Sequence, residues 1–210
     1  MARLGEVPDD GAMLREMRYN ESHPFRKAWI LYLAGLAVLA FVKSDSGRST
    51  GYWAGFSLIG AGFLLHVYGF ALRCIIAQRP PVTNMYESVI WVAFGAIFFA
   101  FILELVSPKR WYLMSAAACA VICLILADTL PTVLDPSIRP LTPVLRSNFW
   151  LTVHVLSITL GYAGFLLALG LGHIVLWKAA LRPEESEQIA SLHDALYRAI
   201  QVGVLLLAAG

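Results

Sequence analysis

Long apolar runs, separated by short polar or proline-containing stretches, dominate this chain. A helix needs about 20 predominantly apolar residues to cross the hydrocarbon core of a bilayer. Five or six runs approach that length, and they cover residues 28–42, 52–72, 85–106, 111–130, 149–177 and 192–210. The run at 28–42 is the shortest and therefore the weakest. The pattern predicts an all-α fold: a polytopic transmembrane helical bundle with five to six helices.

Residues 1–27 differ from the rest of the chain because they are mixed and charged. They do not match a cleavable signal peptide, in which an apolar stretch follows a short basic start. We therefore predict a polar N-terminal segment, 1–27, and a membrane domain, 28–210. The last run is still apolar at Gly210. Because a helix that stops inside lipid leaves carbonyls unsatisfied, we expect the chain to be a fragment of a longer protein.

Composition supports a membrane protein and narrows its class. Hydrophobic residues make up 59% of the chain and charged residues 14%, against about 45–50% and about 25% in soluble domains. The net charge of +2 argues against a nucleic-acid binder. No phosphate-cradling glycine loop and no HExxH motif occurs. Lysine and arginine are shared almost evenly between the two sides, so charge alone does not orient the protein.

Three histidines lie inside apolar runs, where ionisable residues are costly and mark candidate functional sites. His154 lies roughly 8 Å from the start of its run. Trp150 precedes it by one turn, and Arg146 lies in the loop before. These residues offer an axial ligand for haem iron, a flat stacking partner and a cation for a propionate. The alternative, that His154 is an interfacial hydrogen-bonding residue, stays open.

The other two histidines inside apolar runs, His66 and His173, receive different interpretations. His66 precedes Arg73 by seven residues, roughly 10 Å, so it lies at a depth similar to that of His154. Such a pair predicts a haem sandwiched between two helices. The alternative is that His66 bonds to a neighbouring helix. His173 lies roughly 28 Å further along its helix than His154, so we interpret it as interfacial packing.

The densest polar feature is the turn that contains Arg73, Asn84, Tyr86 and Glu87. Asn84 is predicted to cap the third helix, with Glu87 at its third position, close to a capping box. An unpaired charge at this depth is expensive, so an ion pair between Arg73 and Glu87 is predicted. A ligand-binding interpretation of the turn stays open. Glu104, near the end of its run, is expected to be interfacial.

Two segments carry a resemblance to a known family. The sequence PPVTNMYES at 80–88 resembles the P-x-x-N-x-Y-E-S turn of CcsA, also called ResC, a cytochrome c synthetase subunit. The sequence LTPVLRSNFWLTVHV at 141–155 resembles the segment before that family's tryptophan-rich haem domain. The match continues through Gly161-Tyr162-Ala163 and Leu196-Tyr197-Arg198. The similarity covers roughly residues 55–210, and the order and spacing of its motifs are specific.

The resemblance implies a function in System II cytochrome c biogenesis. Members bring haem b to the outer face of a bacterial inner membrane or a thylakoid membrane. With a CcsB or ResB partner, they present it to an apocytochrome carrying Cys-x-x-Cys-His, where thioether bonds form to reduced haem. By resemblance, His154 corresponds to an external histidine that is an axial ligand of the iron. The loop 131–147 and the turn 74–84 would then face outward, and so would the N-terminus if 28–42 spans.

Parts of the family pattern are missing from this sequence. The tryptophan-rich segment, a second external histidine and a later membrane histidine would lie beyond Gly210. We therefore expect this fragment alone to be inactive in haem attachment, and an enzymatic activity is not assigned to it. Two alternatives stay open: a bis-histidine electron-transfer protein that uses His66 and His154, and a cofactor-free transporter or scaffold subunit.

Overall fold

The computed structural model describes residues 10–42, 49–80, 82–138 and 149–210. These residues form seven α-helices and no strand, which confirms the all-α prediction. In chain order they are α1 (Asp10–Ser22), α2 (Pro24–Phe41), α3 (Thr50–Ala77), α4 (Met85–Val106), α5 (Trp111–Thr129), α6 (Phe149–Leu181) and α7 (Ser186–Ala209).

Six helical stretches of the described chain are long and apolar enough to cross a membrane. The chain is therefore a multi-pass integral membrane protein. The first stretch, Met13–Phe41, contains α2 and most of α1, so the short run at 28–42 is part of a candidate span. Helix α7 begins before the run predicted at 192–210, because its first turns are polar and apolar periodicity does not reveal them.

Local sequence signals set several helix ends. Pro24 occupies the first turn of α2, where its missing N–H costs no hydrogen bond. The preceding residue, His23, has a left-handed backbone with φ 40°, which separates α1 from α2. Ser49 caps α3 by accepting a 3.1 Å hydrogen bond from the Tyr52 N–H. Helix α3 ends at Gln78, which is also left-handed, with φ 52°.

The helices pack as a bundle in which α2 contacts α3 and α5, and α4 contacts α5 and α6. Helix α7 packs along α6. The α6–α7 contact is close because glycines face each other: a Cβ on Gly164 would lie 3.1 Å from Gly203 Cα. Small residues of this kind let membrane helices approach closely, so van der Waals packing replaces the hydrophobic effect that lipid cannot supply.

Successive membrane spans run in opposite directions, so their starts and ends collect at two ends of the bundle that differ in chemistry. The first, which we call the polar-turn end, contains the end of α3 and the starts of α4 and α6. The second, which we call the basic end, contains the ends of α2 and α6 and the starts of α5 and α7. Residues 131–138 are non-helical, as predicted for the loop 131–147. The remainder of that loop lies outside the described residues.

Candidate functional site

The polar turn joins α3 to α4 and is shorter than predicted. Residues 74–77 belong to α3, so Arg73 lies a full turn inside the helix rather than at its end. Asn84 caps α4, and its Oδ1 accepts a 2.7 Å hydrogen bond from the Glu87 N–H. The predicted cap is thus confirmed. The helix continues past Arg73 because the arginine is neutralised inside the bundle and does not have to reach the membrane surface.

Arg73 and Glu87 form the predicted ion pair. Arg73 Nη2 lies 2.9 Å from Glu87 Oε1, and the two side chains are 1% and 2% exposed. The second carboxylate oxygen accepts a 2.9 Å hydrogen bond from the Thr83 N–H and another from the Thr83 hydroxyl. In a capping box this oxygen would bond to the N–H of the cap residue, Asn84. Here it reaches one residue further back.

Arg73 also joins parts of the chain that the sequence does not bring together. Its Nη1 donates to the Tyr19 hydroxyl at 3.0 Å and to the Pro136 carbonyl at 2.9 Å. Its guanidinium lies 5.0 Å from the centre of the Tyr86 ring. The guanidinium group of arginine is planar and has five N–H donors, so it can donate to several acceptors at once. One side chain thus ties α1, α3, the start of α4 and the loop after α5.

A second guanidinium gives the turn a net positive charge. Arg79 Nη2 lies 3.7 Å from Glu87 Oε1, and its Nη1 donates to the Thr83 hydroxyl. Two arginines therefore share one carboxylate in a nearly dry environment. The turn stabilises the fold through these bonds, and its net positive charge lies at the polar-turn end of the bundle.

His66 makes the contacts of a core residue. It is 0% exposed, and its Nε2 lies 3.1 Å from the Ile90 carbonyl. Because a carbonyl only accepts, Nε2 carries the proton and Nδ1 carries the lone pair. That lone pair accepts from the Tyr32 hydroxyl, 3.2 Å away. The rings of Phe25 and Phe70 also pack against the imidazole, 5.3 Å away between centroids.

These contacts correct the prediction of a haem sandwiched between His66 and His154. A ligand to iron needs a free nitrogen lone pair, and Tyr32 already occupies the one on His66. The bis-histidine pair is therefore not formed in this structure. The sequence could not reveal this, because Tyr32 and Ile90 belong to two other helices.

Replacing Tyr32 by phenylalanine is expected to lower the free energy of unfolding by about 1–2 kcal/mol, because the His66 lone pair is left buried without a donor. Detergent-induced unfolding followed by circular dichroism would measure this loss. Tyr162→Phe is the matched control, since Tyr162 is 49% exposed and should give almost no change. Equal losses in the two variants would count against the hydrogen bond.

His154 differs from His66 in exposure and in its hydrogen bonding. It is exposed on α6, and its Nδ1 contacts the Gly210 carbonyl. Because the carbonyl accepts, Nδ1–H is the donor. Among the described residues, Nε2 has no hydrogen-bond partner. A histidine that donates from one nitrogen to a carbonyl and leaves the other free is arranged as metal-binding histidines generally are.

Two exposed aromatic residues precede His154 at the start of α6. Phe149 and Trp150 are 69% and 76% exposed, and their ring centroids lie 5.6 Å apart in an edge-to-face arrangement. Trp150 precedes His154 by four residues, so both point from the same side of the helix. Arg146, the predicted propionate partner, lies outside the described residues.

A cavity of about 460 Å³ lies between the polar turn and the first turns of α6. Arg79, Thr83 and Asn84 line one wall, and Leu151 and Val155 are among the residues on the other. His154 does not line it, because residues 151 and 155 occupy a different side of α6. The polar turn and His154 therefore share one end of the bundle without sharing this cavity.

Two buried charged residues have partners that the sequence did not reveal. Glu104, near the end of α4, is 2% exposed and accepts a 2.9 Å hydrogen bond from the Tyr52 hydroxyl. Tyr52 lies near the start of α3, so the donor comes from another helix. Lys178, which directly follows the apolar run 149–177, is also 2% exposed and contacts Glu185. The signal available was the EES segment that follows Lys178 in the sequence.

Comparison with known proteins gives a consistent assignment. Residues 82–210 match the model of a family described as Cytochrome C assembly protein. The cytochrome c biogenesis protein CcsA of Chlorella vulgaris is 32% identical over 136 residues, which cover 63% of this chain and 42% of that protein. CcsA of Synechococcus sp. (strain RCC307) is 31% identical over 73% of this chain and 58% of its own length.

A third relative has a different name. Protein NrfI of Wolinella succinogenes is 26% identical over 81% of this chain but only 19% of its own length. The chain thus spans between 19% and 58% of the length of these three relatives. The family match begins in the polar turn and includes all of α4, α5 and α6.

Proposed function

The chain belongs to the cytochrome c assembly protein family, and from that premise we propose that it delivers haem at the outer membrane face for attachment to apocytochrome c. The haem is the cargo, in the b form that precedes covalent attachment. The site is the start of α6, with His154 as the axial ligand of the iron. The membrane is a bacterial inner membrane or a thylakoid membrane.

The observation that carries the proposal is the hydrogen bonding of His154. Its Nδ1–H donates to a backbone carbonyl, and Nε2 has no hydrogen-bond partner among the described residues. Imidazole binds haem iron through the lone pair of a ring nitrogen, and Nε2 is the nitrogen that would supply it. The exposure of His154 supports the proposal, because a ligand of haem iron must be accessible to the porphyrin.

Neighbouring residues supply the other contacts that haem requires. A porphyrin is flat and apolar with two anionic propionates, and the exposed Trp150 offers an aromatic surface one turn away. Arg146 is the proposed propionate partner. The net positive charge of the polar turn, from Arg73 and Arg79 against Glu87, favours anions at the same end of the bundle.

The proposal also implies partners and an orientation. A CcsB- or ResB-type membrane protein would complete the assembly, and an apocytochrome with Cys-x-x-Cys-His would receive the haem. Because the recipient is outside, the polar-turn end would face outward and the basic end inward. His66 is not proposed as the second axial ligand, since both of its ring nitrogens are bonded.

Replacing His154 by alanine in the complete gene product is expected to lower haem content per protein at least about tenfold, because even outer-shell changes cost 10–100-fold in metal affinity. Membrane insertion should persist, since the side chain is exposed. The Soret absorbance of the purified protein, corrected for protein concentration, measures the change.

His173→Ala is the matched control for that experiment. His173 is exposed on the same helix, and its Nδ1 also bonds to a carbonyl, that of Leu169 at 2.8 Å. His173 bonds within its own helix, however, and it lies 19 residues after His154. Unchanged haem content in His154→Ala, or an equal loss in His173→Ala, would refute the assignment of His154.

A further inference from the structure

Helix α7 carries a line of polar residues along one side, which we call the polar seam. Its members follow one another at spacings of four, three, four and three residues: Glu187, Ser191, Asp194, Arg198 and Gln201. At about 100° per residue, they lie within roughly 80° of one another around the helix. A repeat that alternates three and four residues is the pattern with which one helix packs along another. The polar seam therefore has the spacing of a helix–helix contact.

The polar seam reaches the middle of the membrane. Gly164 lies near the centre of the apolar run 149–177, and a Cβ on it would lie 3.1 Å from the Ala199 carbonyl oxygen. Arg198 directly precedes Ala199, so it lies at about the same depth. Ionisable residues so deep in a membrane almost always face other protein or water, because lipid does not solvate them. The guanidinium of Arg198 therefore requires a partner.

The described part of the chain does not supply that partner. Asp194, Arg198 and Gln201 are exposed, and no ion pair or side-chain hydrogen bond joins them to another described residue. Ser191 is half-buried and contacts Lys109 at the basic end of the bundle. Other residues form the buried side of α7: Leu192, Ala195, Ala199 and Gly203. The polar seam is thus a second side of α7, separate from the side that is already buried.

An apolar groove of about 180 Å³ borders the polar seam on the side of α4. Phe99 and Leu103 are among the residues that line it from α4, and Arg198 and Val202 line it from α7. A lipid acyl chain would fill the groove but offers Arg198 no hydrogen-bond acceptor, because phosphates and esters lie at the membrane surface. A helix satisfies both requirements, since it presents apolar side chains and an acceptor at the same depth.

We propose that the polar seam binds a transmembrane helix of the membrane partner, and that this helix presents a carboxylate to Arg198 and a hydroxyl or amide to Gln201. Polar side chains of this kind hydrogen-bond across membrane helices. A second copy of α7 is disfavoured as the occupant, because equivalent residues of a parallel symmetric pair lie at the same level and would bring Arg198 against Arg198. The inference rests on the proposed function for the existence of a membrane partner, and it does not involve haem.

The access of lipid to the polar seam tests the proposal in the complete gene product. A bimane fluorophore is attached at Gln201→Cys after Cys74, Cys119 and Cys123 have been replaced by alanine. The protein is placed in nanodiscs whose lipid carries a nitroxide near the end of its acyl chain, which quenches the fluorophore where lipid reaches it. Most of the quenching should be lost when the co-expressed membrane partner is bound.

Ile200→Cys is the matched control, because residue 200 lies at nearly the same depth but about 100° away around the helix. Ile200 is 39% exposed, and its quenching should not change when the partner binds. With the partner present, Arg198→Gln should bring back most of the quenching at residue 201, because a carboxylate of the partner then lies in lipid without a cation. Arg198→Lys retains the charge and should bring back less. Unchanged quenching at residue 200 in both variants would show that the fold persists.

Three results would overturn the proposal. The first is equal quenching at residues 200 and 201 with the partner bound. The second is full protection of residue 201 without the partner, since the covering helix would then belong to the same polypeptide. The third is a disulfide between two unlabelled Gln201→Cys copies, which would show that a second copy covers the polar seam. A failure of the His154 assignment is distinguishable from all three, because it is measured by haem content.

Discussion

Replacing Glu87 by glutamine is expected to lower the free energy of unfolding by about 3–5 kcal/mol, as for the loss of one partner from a buried ion pair. The carboxylate is 2% exposed and is shared by Arg73 and Arg79. Its loss leaves two guanidinium groups without a countercharge where water cannot solvate them. Unfolding by titration with sodium dodecyl sulfate in mixed micelles, followed by circular dichroism, measures the change.

The matched control is Asp128→Asn, which breaks an exposed arginine–carboxylate pair at this end of the bundle. Arg26 Nη2 lies 2.9 Å from Asp128 Oδ1, as short as the buried pair, but the two side chains are 50% and 27% exposed. Exposed pairs contribute about 0–1 kcal/mol, because water replaces the lost partner. Losses of similar size in the two variants would show that burial does not decide the strength of the Glu87 interaction.

A second test of the same pair is the double variant Arg73→Met/Glu87→Met. Replacing both residues by apolar side chains leaves Tyr19 and Pro136 without a donor, but it leaves one guanidinium, that of Arg79, without its countercharge instead of two. We therefore expect the double variant to be more stable than Glu87→Gln, as seen when buried ion pairs are replaced by hydrophobic residues. A double variant less stable than the single variant would contradict this account.

Replacing Gly170 by leucine is expected to lower the free energy of unfolding by about 3 kcal/mol, the upper end of typical overpacking costs. A Cβ on Gly170 would lie 2.9 Å from both the Cβ and the carbonyl oxygen of Ser115, and 3.1 Å from Cys119 Sγ. The backbone oxygen cannot rotate away, so α5 and α6 must separate. Thermal denaturation in micelles would show the loss as a lower melting temperature.

Gly172→Leu is the matched control, because it introduces the same side chain two residues further along the same helix. A Cβ there would have nothing within 4 Å. We expect a change within about ±0.5 kcal/mol, as for other substitutions on an exposed face. If both variants had the same lowered melting temperature, the loss of stability would come from replacing a glycine in this helix and not from the α5–α6 contact.

Local interactions were the part of the site that sequence could predict. The Asn84 cap needs only residues three apart, and the Arg73–Glu87 pair needs only a hairpin and the cost of an unpaired buried charge. Both predictions were confirmed. The hydrogen bond of Glu104 could not be predicted, for the converse reason. Its partner, Tyr52, comes from a helix whose rotation the sequence does not specify.

His66 and His154 also show which features the sequence predicts and which only the structure decides. Both lie in apolar runs, and from the sequence both were candidate ligands. In the structure, His66 is fully buried with both nitrogens bonded, whereas His154 is exposed with Nε2 without a partner among the described residues. The difference depends on which face of each helix meets its neighbours. That face is poorly encoded in a membrane helix, because lipid-facing and core-facing positions are both apolar.

The sequence by itself determined the all-α membrane architecture, the approximate positions of its spans, and the capped polar turn. These follow from backbone chemistry, because lipid cannot satisfy free N–H and carbonyl groups and so forces each apolar run into a helix. Only the tertiary structure decided which charged and imidazole groups are paired and which remain accessible. Pairing depends on distances between helices that are far apart in the chain, and no local rule of composition or periodicity contains those distances.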